Sequence, residues 1–278
     1  MSDRITTRAR KVRHLLGMAG LAIGLSAGLA QADTIKTPAS LAAANKIVYC
    51  AAVGAPPLSF YKEDGSLVGM EIDFGNELAK RIGVKPEWIN VQFDGIIPAL
   101  QAKHCDAIIS GLYDKPKRRE VIDFIDYMNS FQTMVVPVGN PKHIKTLSDL
   151  SGLKLSASNG TTIQSLAEQE NEKLKAAGKP LITIVPFPTE TDAIQALRIG
   201  QVDAYGTTIE ISAYYVFLAP KLFELAGDPF NTIKAGIGLR KGDPDIEQAL
   251  NQAFSDMRAD GTYKKILATW GLEKLDLD

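Results

Sequence analysis

Residues 67–83 of the chain read LVGMEIDFGNELAKRIG, and the part from 71 to 83 mixes apolar and polar residues as an amphipathic helix does. Gly83 suits the left-handed residue that ends such a helix. The apolar runs 46–53 and 86–91, on either side of it, predict two strands. Because strands that alternate with helices form parallel sheets covered by helices, this stretch predicts an α/β protein.

The same alternation continues along the rest of the chain, without internal repeats or low-complexity tracts. The predicted strands are 46–53, 86–91, 105–110, 131–138, 153–157, 181–185, 202–206 and 233–240. The predicted helices are 71–83, 94–102, 161–177, 189–199, 208–217, 244–259 and 262–270.

Two segments divide this pattern into two lobes. Residues 128–141 pass from a loop into a strand, and residues 226–235 do the same from the other side. They predict a second lobe inserted into the first. The expected ranges are 33–130 for the first part of lobe 1, 131–231 for lobe 2 and 232–278 for the return to lobe 1. A cleft between such lobes is a natural ligand site.

The amino terminus is typical of a secretory signal peptide. A basic segment precedes the apolar run 15–29, and Ala30-Gln31-Ala32 has the small-x-small pattern of a cleavage site. We therefore expect a signal peptide at 1–32, cut after Ala32, and a periplasmic mature chain; an uncleaved anchor is the alternative. The mature chain keeps 26 bases and 31 acids. Without a basic stripe, nucleic acid is not an expected partner.

The two cysteines are expected to be free thiols. Cys50 lies late in the predicted strand 46–53 and Cys105 at the start of the predicted strand 105–110. As parallel neighbours they would be about 13 Å apart, beyond the ~7 Å that a disulfide allows. No histidine has metal-ligand spacing, so we expect neither a metal nor a cofactor.

Signatures of catalysis are absent, but three strand ends have binding character. Residues 33–278 contain no H-E-x-x-H, G-x-S-x-G or phosphate loop. An arginine beside a strand end can clamp a carboxylate, and a helix start rich in hydroxyls can bind an anion. The alternatives are a solvated basic face and ordinary capping. The three segments are Ser110-Gly111-Leu112-Tyr113 with the nearby Arg118, Ser158-Asn159-Gly160-Thr161-Thr162, and Gly206-Thr207-Thr208-Ile209-Glu210.

In order and spacing these segments resemble a known family. The matching motifs are L67-VGMEIDFGNELAKRI-G83, F93-DGIIPALQA-K103, D106-AIIS-G111, N159-GT-T162 and A259-DGTYKKILAT-W270. They are similar to bacterial extracellular solute-binding proteins of family 3, the polar amino acid receptors of ABC importers. The resemblance runs from about Lys46 to Trp270. It implies the type II periplasmic-binding-protein fold, a Venus-flytrap of two lobes and two hinge strands.

The resemblance also implies roles for particular residues. Arg118 falls on the arginine that binds the α-carboxylate of the ligand, and Thr161 and Thr162 fall on groups that share that carboxylate. Ser110 and Gly111 fall on the turn that meets the α-ammonium. Phe93 falls on an aromatic residue that covers the ligand side chain.

The sequence departs from the family pattern at residues that are expected to contact the ammonium and the side chain of the ligand. Small residues, Ala52 and Ala55, stand where the family has an aspartate and an aromatic residue, and Tyr113 is expected to refill part of that space. Thr208 stands at the position where the family has an acidic residue that pairs with the α-ammonium. Either Glu210 replaces it or the ligand lacks a standard ammonium.

The expected function is therefore a monomeric receptor that binds a carboxylate-bearing, amino-acid-like molecule and delivers it to an ABC permease. Two alternatives remain open. One is an enzyme similar to cyclohexadienyl or arogenate dehydratase, with Glu190 or Glu210 as proton donor. The other is a receptor that signals to a membrane sensor.

Overall fold

A pair of long antiparallel strands runs through the middle of the fold and joins two halves of one mixed sheet. The computed structural model describes residues 35–277. The predicted signal peptide and its cleavage site lie outside these residues.

Strands and helices alternate through the described chain, as predicted. The strands are β1 (Lys46–Ala51), β2 (Phe60–Tyr61), β3 (Leu67–Val68), β4 (Lys85–Asn90), β5 (Ala107–Ile108), β6 (Ile122–Pro137), β7 (Lys154–Ser158), β8 (Thr183–Phe187), β9 (Ala204–Thr208), β10 (Phe223–Leu225) and β11 (Phe230–Arg240). The helices are α1 (Ala39–Ala44), α2 (Met70–Ile82), α3 (Ile96–Gln101), α4 (Pro116–Arg119), α5 (Thr162–Ala176), α6 (Glu190–Arg198), α7 (Ile209–Leu218), α8 (Pro244–Ala259) and α9 (Thr262–Thr269).

The main sheet has the strand order β4-β1-β5-β11-β6-β9-β7-β8, with β10 paired to the end of β6. Strands β4, β1 and β5 are parallel, and so are β9, β7 and β8. We call the first group with its helices the first half and the second group with its helices the second half. Both halves have the parallel strands that the alternation predicted.

The long strands β6 and β11 connect the halves. β6 pairs with β11 from Ile122 to Gln132 and then with β9 up to Val135. The predicted strand 131–138 is thus the second part of a strand that begins nine residues earlier. The predicted lobe boundaries, after residues 130 and 231, fall inside β6 and β11 and stay predictions.

Helix α2, which is formed by the motif at residues 67–83, packs into the core of the first half. Its residues Met70, Phe74, Leu78 and Ile82 recur every fourth position, and all are buried against the sheet and the last helices. The Phe74 ring lies 5.3 Å from the ring of Phe254 in α8. Truncation of a buried phenylalanine of this kind costs about 3–5 kcal/mol of stability.

Gly83 ends helix α2, as predicted. Its φ of 82° lies in the left-handed region, and its N–H donates to the carbonyls of Ala79 and Lys80. A side chain at this position would strain the backbone, so the glycine fixes where the chain turns into β4.

The prediction that the cysteines are free thiols is wrong, because Cys50 and Cys105 form a disulfide with a Cα–Cα distance of 5.7 Å. The predicted strand 105–110 contains only two residues of actual strand, Ala107 and Ile108. Before them the chain bends back towards α3, where the N–H of His104 donates to Ala99. Cys105 therefore lies outside the strand, and the rise per residue of an extended chain does not apply to it.

Candidate functional site

A cavity of about 700 Å³, its open mouth included, lies where the parallel strands of both halves end. Its lining comes from segments that follow the carboxyl ends of strands, the position where ligands collect in open α/β sheets. These segments lie within residues 52–59, 90–93, 110–113, 158–163, 188–190 and 207–211. Glu71 of α2 and Gln132 of β6 complete the lining.

Nearly all residues predicted to contact the ligand meet at this cavity. Those that line it are Ala55, Phe93, Ser110, Gly111, Tyr113, Thr161, Thr162, Thr208 and Glu210. Arg118 lies one layer further back, with its Cζ 5.6 Å from the centre of the Phe93 ring. Their contacts with a ligand stay predictions.

The guanidinium of Arg118 is charged, largely buried and free of any carboxylate partner in the part of the chain that the structure describes. Its Nη1 donates to the carbonyl of Tyr113 at 2.9 Å. Burial lowers the pKa of Arg118 to about 10, below its usual range. Because a buried cation without a counter-ion is unfavourable, an anion that reached this position would be strongly stabilised.

The start of helix α5 adds donors to the same region. Thr161 is the N-cap residue, but its hydroxyl donates to the carbonyl of Ser158 at 2.7 Å. The Oγ1 of Thr162 is buried and has no partner. Because the first N–H groups of a helix have no partner within it, the backbone amides and the Thr162 hydroxyl are the groups available to a carboxylate.

Glu71 meets the turn at Ser110 and Gly111. Its Oε1 accepts hydrogen bonds from the N–H of Gly111 at 2.5 Å and from the hydroxyl of Tyr127, while its Oε2 is buried without a partner. Burial raises the pKa of Glu71 to about 7, against the effect of these hydrogen bonds. The sequence analysis missed Glu71, because an acidic residue near the start of a helix is ordinarily explained by its favourable interaction with the helix dipole.

Glu210 lies in the first turn of α7, two residues beyond Thr208. Its carboxylate accepts from the hydroxyl of Ser130 at 2.7 Å and from that of Tyr113 at 3.2 Å. Burial raises its pKa. The residue predicted to replace the missing family acid therefore lies at the cavity, and its pairing with an ammonium stays a prediction.

Gln132 is a second residue that the sequence analysis missed. It is 1% exposed, lines the cavity, and neither atom of its side-chain amide has a hydrogen-bond partner. It lies opposite Thr208 in the β6–β9 register. Only the pairing of strands far apart in sequence places these groups together.

Glu190, the first residue of helix α6, also lines the cavity. Its carboxylate accepts from the hydroxyls of Tyr205 and Thr207, the latter at 3.1 Å. Burial raises the pKa of Glu190 to about 7. The sequence analysis considered this residue only as a proton donor in an enzyme.

The two halves touch around the mouth of the cavity. The carbonyl of Gly54 in the first half accepts from the N–H and the Oγ1 of Thr191 in the second, at 3.2 and 2.9 Å. Near the start of α5, a Cβ added to Gly160 would lie 3.2 Å from the Cα of Asp94. The structure thus describes an arrangement with the halves in direct contact.

Within residues 35–277, no group of three or more histidine, cysteine or acidic side chains is arranged to hold a metal ion. Over the same residues, no helix is both long and apolar enough to cross a bilayer.

Two halves joined by two long strands around a cavity with buried polar groups define a ligand-binding protein of the two-lobed α/β class. The chain belongs to the bacterial extracellular solute-binding proteins, family 3, whose model matches residues 47–273.

The names of similar proteins are consistent with membership of this family. The lysine/arginine/ornithine-binding periplasmic protein of Escherichia coli K12 is 34% identical over 76% of this chain and 81% of its own length. The histidine-binding periplasmic protein of Salmonella typhimurium LT2 is 32% identical over 88% of this chain and 94% of its own. The crystal structure of the ancestral amino acid-binding protein AncCDT-1, a precursor of cyclohexadienyl dehydratase, has a TM-score of 0.76 and 31% identity, covering 83% of this chain and 97% of that one.

These findings confirm the predicted two-lobed fold and the predicted class, a binding protein and not an enzyme. The neighbour that is related to a dehydratase is itself described as an amino acid-binding protein. The relatives from Escherichia coli and Salmonella typhimurium are periplasmic proteins.

Proposed function

We propose that this chain is the periplasmic receptor of an ABC importer and that it binds an amino acid in the cavity between its halves. The observation that carries the proposal is the charge pattern of the cavity. The partly buried guanidinium of Arg118, which has no counter-ion among the described residues, lies behind Phe93 at one end, and the buried carboxyl groups of Glu71 and Glu210 lie around the turn at Ser110. This pattern is complementary to an α-carboxylate next to an α-ammonium.

The carboxylate end of the ligand would be held by Arg118 and the start of α5. Arg118 supplies charge and N–H donors, and the amides of Thr161 and Thr162 supply the N–H groups of a helix terminus. The free Oγ1 of Thr162 supplies a further donor. Phe93, in contact with the guanidinium of Arg118, would cover the bound molecule.

The ammonium end would lie between Ser110 and Glu210. The Oγ of Ser110 accepts from the N–H of Ala52 at 2.8 Å and keeps a lone pair for a second donor. Glu210 supplies the negative charge that the family normally has at Thr208.

Ligand binding would stabilise the closed form by touching both halves at once. A ligand shifts such an equilibrium only by its difference in affinity for the two forms. Arg118 and Ser110 belong to the first half, and Thr162 and Glu210 to the second. Closure would then present a surface formed by both lobes to the permease, with the receptor acting as a monomer and processed after Ala32.

A thermal-shift screen of the purified protein against the amino acids tests this function. A ligand at 100 times its dissociation constant adds about 2.7 kcal/mol to stability, which raises the melting temperature by roughly 5–10 °C in a protein of this size. The methyl ester of the same amino acid, which lacks the carboxylate, is the matched control and should give no shift. If no amino acid raises the melting temperature, the proposed function is wrong.

A further inference from the structure

The cavity lining contains three glutamates and no basic side chain within the described chain. Glu71 and Glu210 are almost completely buried, and Glu190 is partly so. The donors found for their carboxylates are neutral hydroxyls and one backbone N–H. None of the three takes part in an ion pair between residues 35 and 277.

Unpartnered polar atoms face the same cavity. Both amide atoms of Gln132, the second carboxylate oxygen of Glu71 and the hydroxyl of Thr162 are buried and find no hydrogen-bond partner among residues 35–277. Because nearly all buried polar atoms in native proteins are hydrogen-bonded, these atoms indicate a polar ligand and not a purely apolar one.

The charges at the cavity indicate the net charge of that ligand. Arg118 contributes one positive charge beside the cavity, whereas the lining carries three carboxyl groups. A zwitterionic amino acid supplies one ammonium for three buried carboxyl groups, and a carboxyl without a cation beside it is costly to ionise in a buried site. A ligand with a net positive charge removes that mismatch. Burial raises the pKa values of Glu71 and Glu190 to about 7, so a cation bound beside either carboxyl would favour its ionised form.

The three glutamates have different hydrogen-bond partners, and we therefore assign them different roles in ligand binding. Glu71 and Glu210 are both hydrogen-bonded to the segment 110–113, where the α-ammonium is expected. Glu190 is held elsewhere, by Tyr205 and Thr207 of β9.

Glu190 also lies beside the wall of small residues in the first half. Its neighbour Thr189 faces Gly54, whose added Cβ would lie 3.2 Å from the Cβ of Thr189. Gly54 stands between Ala52 and Ala55, which line the cavity with side chains of a single methyl group. Ala52, Ala55 and Glu190 therefore line one and the same cavity.

We propose that the ligand is an amino acid whose side chain carries a second positive charge, and that Glu190 binds this charge. The inference rests on the proposed function, because it takes the α-carboxylate and α-ammonium as held in the way described above. Glu190 is thereby the residue that determines specificity for cationic over neutral side chains.

Calorimetric titration with two matched ligand pairs tests the inference on the unaltered protein. L-Arginine is compared with L-citrulline, which has the same length and a neutral ureido group, and L-lysine with L-norleucine, which lacks the terminal ammonium. We expect a cationic member to bind at least tenfold more tightly than its neutral match.

Glu190→Gln should weaken binding of the preferred cationic ligand by ten- to a hundred-fold, equal to about 1.4–2.8 kcal/mol. It should change binding of the neutral match by less than threefold. Glu172→Gln, an exposed glutamate of α5, is the control and should change neither.

Two results would overturn the inference. One is a neutral ligand that binds as tightly as its cationic match, and the other is an equal loss for both ligands in Glu190→Gln. Because the ligand pairs are compared on the unaltered protein, the test survives a variant that fails to fold. If neutral amino acids bind and cationic ones do not, this inference fails alone, whereas the absence of binding by any amino acid refutes the proposed function.

Discussion

Replacement of Arg118 by alanine should have opposite effects on ligand affinity and on the stability of the ligand-free protein. In the ligand complex the substitution removes a charge-assisted hydrogen bond to the carboxylate, worth about 1.5–3 kcal/mol. Affinity should therefore fall by roughly ten- to a hundred-fold. A residue that acts only in packing would not produce this loss without also lowering stability.

The effect on stability follows from the environment of the guanidinium. Burial lowers the pKa of Arg118 to about 10, below its usual range, and such a shift corresponds to a free-energy cost on the order of 3 kcal/mol for holding the charge in the folded protein at neutral pH. Arg118→Ala removes that cost together with the hydrogen bond to Tyr113 and the contact with Phe93. We expect the free energy of unfolding without ligand to stay unchanged or to rise.

Isothermal titration and urea unfolding of the same preparation measure the two effects. Lys117→Ala is the matched control, because Lys117 is an exposed cation on the same helix and should alter neither quantity. The reasoning is refuted if Arg118→Ala binds the ligand as tightly as the unaltered protein. It is equally refuted if the ligand-free variant loses more than about 2 kcal/mol of stability, as a disrupted core would.

Three further predictions concern stability and closure. The pKa of Glu71 is about 7 in the folded protein and 4.5 in the unfolded chain. Between these two pH values the folded state binds more protons than the unfolded state. The free energy of unfolding therefore falls by up to about 1.4 kcal/mol per pH unit as the pH rises from 4.5 to 7. Glu71→Gln should flatten this slope in urea unfolding at pH 5 and 7, and an unaltered slope contradicts the assignment. Replacing Cys50 and Cys105 together by serine opens a loop of 55 residues and should lower the free energy of unfolding by about 4 kcal/mol; equal denaturant midpoints of the two proteins would disprove this. Gly160→Ala should weaken ligand binding in calorimetry because its Cβ meets the opposite half at 3.2 Å, whereas Gly200→Ala, with nearly the same φ and open space, should not; equal affinities would argue against closure at this point.

Local pattern was sufficient for most of the secondary structure. The helix predicted at 71–83 and its end at Gly83 agree with α2 to within a residue. The predicted strands 153–157 and 202–206 overlap β7 and β9. Hydrophobic periodicity and helix-ending glycines involve neighbouring residues only, so they can be read without knowledge of the fold.

The sequence pattern was less informative where polar residues interrupt a strand. The first nine residues of β6 were not predicted as strand because acidic and polar residues interrupt them, at Asp123, Asp126 and Asn129. In the structure these residues lie in a strand that pairs with β11 on one side. Pairing with a strand more than 100 residues away, and not local propensity, makes this segment extended.

The sequence by itself determined that the chain is an α/β protein with polar turns at its strand ends, and it located nine of the residues that line the cavity. Those residues lie directly after strands, and the carboxyl ends of parallel strands collect at one edge of a sheet.

Only the tertiary structure decided which groups meet there. It joined Cys50 to Cys105, brought Gln132 opposite Thr208, and placed Glu71 against Gly111, forty residues away. These contacts depend on the bending and pairing of segments distant in sequence. No periodicity or spacing along the chain contains that information.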